Sequence, residues 1–175
     1  MAIRIRHYPH NDLLNLAHYH REIIARKLDA GDHDGIALDC TSCLIALAFF
    51  VEALVNFVGS KKVKNWNESA NAPTKIAKLS KLLGLPMDSD TGPFAAIATL
   101  RKLRNGLAHG TPSHRTATVA SREELDEAMQ APWDKYRNPE AVETLYLKVV
   151  ELRHAMFDAA GIRLVDSITS AVGSY

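Results

Sequence analysis

Cysteine is scarce: Cys40 and Cys43 are the only two in 175 residues. That excludes a disulfide scaffold and fits a reducing cytoplasm. Long apolar runs are lacking as well. The longest, from Cys43 to Val51, is far short of the ~20 residues that a bilayer span needs. The N-terminal stretch Met1-Ala2-Ile3-Arg4-Ile5-Arg6-His7 has no apolar core, so no secretory signal is expected. Glycine-rich phosphate loops, Gly-x-Ser-x-Gly elbows and His-Glu-x-x-His pairs do not occur, which removes the common nucleotide-loop, hydrolase and zinc-protease signatures. Nor is any βαβ alternation, internal repeat or low-complexity tract visible.

What is present is an ordinary globular composition, 47% apolar and 23% charged. At this length it describes one domain with a sizeable core. The pattern reads as helix after helix. Asn11-Asp12 opens a helical spacing of Leu13, Leu14, Leu16, Ala17, Ile23, Ile24 and Leu28 that Gly31 ends. A more apolar helix follows from Ile36 to Val58, with Gly59 as its stop. Pro73 suits the first turn of a third helix ending at Gly84. A fourth begins at Thr91-Gly92-Pro93 and ends near Gly110. Ser121-Arg122-Glu123-Glu124 matches a capping box and predicts a short helix over residues 122–130. Asn138-Pro139 starts a long last helix that runs to Gly161. The stretch from Thr116 to Val119 reads as a brief strand. The expectation is an all-α bundle of five to six helices forming a single domain over residues 1–175. Its core would span about residues 36–160. Residues 1–35 would be an N-terminal helical extension and residues 162–175 a tail.

The net charge of +1 hides a split. Residues 60–122 hold eleven Lys or Arg against three acids, and no acid occurs from Thr91 to Arg122. Segregation of this kind gives a face that attracts phosphates. Lys75, Lys78 and Lys81 recur at three-residue spacing and would form a stripe on one helix. Arg101 and Lys102 continue the basic surface.

Cys40-Thr41-Ser42-Cys43 has C-x-x-C spacing but lies inside an apolar helix with no second ligand pair, so both cysteines are expected to be buried and structural. His18 and His20 stand two apart on a helix, a spacing that sends them to different sides. No metal site and no cofactor is predicted.

The segment Arg101-Lys102-Leu103-Arg104-Asn105-Gly106-Leu107-Ala108-His109-Gly110 closes the fourth helix inside the acid-free stretch. On an ideal helix Arg104 and His109 lie about 140° apart, with Arg101 and Asn105 between them. The four share one polar face, and a bend at Gly106 would bring Arg104 and His109 together. The set suits a phosphodiester. Arginine is a permanent forked donor for phosphate oxygens, and histidine can move a proton. The same residues also offset a helix dipole.

Arg104-Asn105-Gly106-Leu107-Ala108-His109 resembles the signature of the HEPN superfamily (higher eukaryotes and prokaryotes nucleotide-binding domains): Arg, four to six residues, then His, with a polar residue after the Arg. Arg4 to His10 and Arg26 to His33 share the spacing, but only Arg104 to His109 adds the polar Asn105 and the late-helix setting. Glu52 and Asn56, one turn apart on the apolar second helix, also look like that family. By residue chemistry alone they serve equally well as a polar bridge between helices. The resemblance covers about residues 36–160. It implies a metal-independent endoribonuclease of the toxin–antitoxin or defence type. His109 would act in acid–base catalysis as a 2′-hydroxyl attacks the adjacent phosphate, Arg104 would hold that phosphate, and Asn105 would support them. It further implies RNA as partner, a homodimer with a shared cleft, and a possible antitoxin protein. The alternative is a non-catalytic helical module that binds a protein, a nucleotide or nucleic acid.

Overall fold

The computed structural model describes residues 2–88, 90–110, 112 and 114–174. Six helices make up the described chain: α1 (Pro9–Asp29), α2 (Ile36–Lys62), α3 (Ala72–Leu83), α4 (Gly92–Ala108), α5 (Arg122–Met129) and α6 (Pro139–Ala160). Two short strands, β1 (Ala2–Arg6) and β2 (Ser170–Ser174), pair antiparallel. The all-α bundle is therefore the architecture, with a two-stranded ribbon joining its termini.

Local chemistry sets five of the twelve helix ends. Asn71, Ser121 and Asn138 each accept a backbone N–H from three residues on, at 2.9, 3.2 and 2.9 Å. These are side-chain N-caps. Gly84 and Gly161 close α3 and α6 at φ +66° and +58°, in the left-handed region that glycine enters without cost. The box at α5 is shifted by one residue: Glu124 accepts from the N–H of Ala120 at 2.7 Å, not from that of Ser121.

α2 is the central element. Cys43, Leu44, Leu47, Phe50, Leu54 and Val58 are fully buried on it, and α1, α3, α4 and α6 all pack against it. By length and mean hydropathy α2 would suffice to cross a membrane, a length of apolar helix that the run from Cys43 to Val51 alone does not suggest. Yet 61% of its most apolar window is buried against the other helices, as in a core helix. Cys40 and Cys43 are completely buried, as expected. Burial pushes their thiols up to about 11 and about 12, and the Cys43 thiol donates to the Ala17 carbonyl at 3.3 Å.

Several boundaries differ from the sequence reading. α2 does not stop at Gly59 but continues to Lys62. Gly59 serves close packing instead, since a Cβ there would lie 2.3 Å from the Trp66 ring. α1 starts at Pro9, not at Asn11. The Asn11 amide donates to the carbonyls of Tyr8 and Ser167 at 3.3 and 2.7 Å, so it ties the two ends of the chain together. Residues 1–35 contribute Ala17 and Ile24 to the core, and the tail supplies β2. Thr116 to Val119 forms no strand; those residues are exposed and lack a ladder partner.

Candidate functional site

The polar pair on α2 gathers three elements. Glu52 Oε2 accepts from Arg104 Nη2 on α4 at 2.8 Å, and Glu52 Oε1 lies 3.7 Å from Lys75 Nζ on α3. Asn56 Oδ1 accepts from Lys75 Nζ at 3.0 Å and from Trp66 Nε1 at 3.3 Å. Lys75 also donates to the Glu68 carbonyl at 3.0 Å. One turn of α2 thus bridges α3, α4 and the α2–α3 loop. Phe49 lies beneath the Arg104 guanidinium, 5.9 Å from ring centroid to Cζ. A small cavity of about 30 Å³ lies here, lined by Glu52, Lys75, Arg101 and Arg104 among apolar groups. It has room for one or two waters.

This network changes the reading of the lysine stripe. Lys75 is 3% exposed and spends its charge on Glu52, Asn56 and Glu68. A buried ammonium needs such partners. Only Lys78 and Lys81 of the three reach the surface, and Lys78 lies 5.8 Å over the Trp66 ring. The spacing of three places all three on one face, but the wide apolar stripe of α3 includes the position of Lys75.

At the other end of α4 the backbone is a continuous helix through Gly106, with no break that swings Arg104 towards His109. Gly106 faces Trp133 instead: a Cβ there would come within 3.1 Å of the indole. His109 is the C-cap residue, at φ −113° and ψ 20°. Arg101, Lys102, Asn105 and His109 are exposed. Lys102, Asn105 and His109 follow one another at spacings of three and four, which aligns them along the outer face.

His109 borders an open cleft of about 790 Å³ between the end of α4 and α5, which Arg104 does not line. The structure therefore brings Arg104 to Glu52 and Lys75, and His109 to a different surface. The cleft also takes in His114, Arg115 and Trp133; of these the sequence reading considers only His114, and sets it aside because it lies five residues past His109, beyond Pro112, where no helix fixes its position. His114 and Arg115 sit in the acid-free stretch, which is a signal in the sequence, but only the structure shows that they line the same cleft as His109. Arg115 Nη2 donates to the carbonyls of Ala128 and Gln130, the latter at 3.1 Å. It thereby pins the loop to the C-terminal end of α5. No described lining residue of the cleft is acidic. Among the described residues no group of three or more His, Cys, Asp or Glu is placed to hold a metal ion.

Comparison with protein-family models, with curated proteins and with solved structures gives no match to this chain.

Proposed function

We propose that the protein is a metal-independent endoribonuclease of the toxin or defence type, cleaving RNA by attack of a ribose 2′-hydroxyl on the adjacent phosphate. The observation that carries this reading is the position of His109. It stands exposed at the end of a basic helix, beside an open cleft whose described lining contains histidine and arginine and no carboxylate. Such a surface attracts a polyanion and offers it a group that moves protons. The strand would follow the outer face of α4 past Arg101, Lys102 and Asn105. Arg104, oriented by Glu52, would add positive charge from the α3 side. The reading is similar to what the HEPN-like motif implies. It leaves room for an antitoxin protein that covers the same basic face.

A second reading has its own support. Arg104 already pairs with Glu52 at 2.8 Å and lines a different cavity from His109. That is what a structural arginine in a non-catalytic binding module would do. An RNA-cleavage assay in EDTA separates the two. The ribonuclease leaves 2′,3′-cyclic phosphate and 5′-hydroxyl ends and loses activity in His109→Ala, while stability stays within about 1 kcal/mol, as for exposed positions. RNA left intact by the wild-type protein would establish the module.

A further inference from the structure

Transfer of phosphate to a 2′-hydroxyl needs two proton movements. A base takes the hydroxyl proton as the 2′-oxygen bonds to phosphorus. An acid gives a proton to the 5′-oxygen as its bond to phosphorus breaks. His109 can do only one of these at a time. Arg104 cannot do the other, because a guanidinium does not give up its proton in a protein.

Resting on the ribonuclease reading, we propose that the α4–α5 cleft is a complete one-chain site for single-stranded RNA, in which His114 is the second proton-transferring residue and Arg115 holds the phosphate. Four observations support this. His109, His114 and Arg115 line one cleft. Arg115 is fixed by two carbonyls near the end of α5, both of which it meets through Nη2. A guanidinium carries five N–H donors, so this anchoring leaves Nε and Nη1 for a phosphate oxygen. The cleft also has an apolar lining, Leu125, Met129 and Trp133, a wall on which an unpaired base can stack or pack. The volume of about 790 Å³ falls in the range of small-molecule sites and accepts a nucleotide. A duplex would not offer its bases to such a wall, so the substrate is single-stranded. In the step itself the 2′-hydroxyl proton passes to one imidazole. The P–O2′ bond forms, the P–O5′ bond breaks, and the other imidazolium protonates O5′. No oxidant, reductant or metal enters the balance.

The test uses the full chain and two probes in EDTA: a single-stranded RNA oligonucleotide for cleavage, and its all-2′-deoxy form, which has no nucleophile, for binding. His114→Ala is expected to lower kcat by about 100-fold or more and to leave the affinity for the deoxy probe unchanged. Its pH–rate profile should lose one limb of the bell, and added imidazole should restore part of the rate. Rescue by imidazole separates proton transfer from a role in holding the loop. Arg115→Ala should weaken the deoxy probe. Wild-type cleavage that His114→Ala keeps in full overturns the role of His114 and leaves the ribonuclease reading standing. A wild-type protein that binds the deoxy probe but cuts no RNA overturns both readings in favour of a binding module. A variant that loses activity without imidazole rescue and with altered melting assigns His114 to structure and overturns the proposal.

Discussion

Trp66 joins the fold to the candidate site, and Gly59→Ala tests that join. The added methyl carbon would lie 2.3 Å from one atom of the indole and 2.5 Å from two more, where carbon atoms at rest stand about 3.5–4.0 Å apart. The ring must therefore retreat by more than about 1 Å. Overpacking of this kind costs about 1–3 kcal/mol. A displaced ring also gives up the Trp66 Nε1 to Asn56 Oδ1 bond of 3.3 Å, about a further 1 kcal/mol. Against this, alanine is better than glycine inside a helix by about 1 kcal/mol. The balance is a destabilisation of about 1–3 kcal/mol. The informative assay is a cycle: urea unfolding of wild type, Gly59→Ala, Trp66→Ala and the double variant. With the ring removed, only the helix propensity remains, so Gly59→Ala should change sign and stabilise by up to about 1 kcal/mol. An effect of the same sign and size in both backgrounds would refute the packing argument.

Three further predictions concern charge. His10 is 2% exposed, and burial, helped by Arg153, lowers its pKa to about 4. The unfolded chain takes up this proton near pH 6.5 while the folded one resists it until about 4. Stability is thus fully present above pH 6.5 and falls as pH drops towards 4, by about 3 kcal/mol. His10→Phe, whose ring fits beside Phe57, should flatten that part of a pH series of unfolding curves. Glu52→Gln should destabilise by about 1–2 kcal/mol, a figure discounted because Glu52 is 38% exposed. Lys75→Met should cost less, since it removes the buried charge itself; urea midpoints in the opposite order would overturn the network as drawn. RNA affinity should fall steeply with salt. Alanine at Lys78, Lys81 and Lys102 together should lower the log–log slope by about 0.7 for each single-strand phosphate that a lysine no longer neutralises, and Lys75→Met should leave it unchanged.

Local chemistry is legible in the sequence, and long-range chemistry is not. The caps at Ser121 and Asn138 and the stops at Gly84 and Gly161 act within three or four residues, so their residue types announce them; at α3 the sequence shows Pro73, and the Asn71 cap just before it goes unread. Gly59 is the same residue type as those stops in a different service. Its reason is Trp66, in the loop beyond the helix end, and nothing local distinguishes a packing glycine from a terminating one. The ribbon of β1 and β2 pairs Ile5 with Ala171, partners from opposite ends of the chain, and neither strand has a pattern strong enough to read alone. At the candidate site, Arg104 and Asn105 lie on α4 as expected, His109 caps that helix without turning towards Arg104, and Glu52 and Asn56 bridge helices, one of the two roles that residue chemistry leaves open. The burial of Lys75 escapes a sequence reading, because spacing gives a direction around one helix but not what that direction faces, and the place of His114 escapes it because that residue lies in the loop between α4 and α5, where no helical spacing fixes a direction.

The separation of Arg104 from His109 bears on how a dimer would work. A shared cleft requires that one chain supply one histidine and its two-fold partner the other. The one-chain site requires only His109 and His114, which border the same cleft. The two arrangements differ in what a single inactive copy does to its neighbour. Wild-type and His109→Ala chains carrying different tags can be coexpressed, and the mixed species isolated by two affinity steps. If each chain holds its own pair of histidines, the mixed dimer keeps about half the wild-type rate, since one cleft of the two is intact. A shared cleft would lose nearly all activity, because every phosphate would then meet at most one working His109. The expected result is the half-rate, and it should persist when the mixed dimer is diluted. Near-complete loss would show that the second histidine comes from the partner copy, and His114 would then have no part in the chemistry.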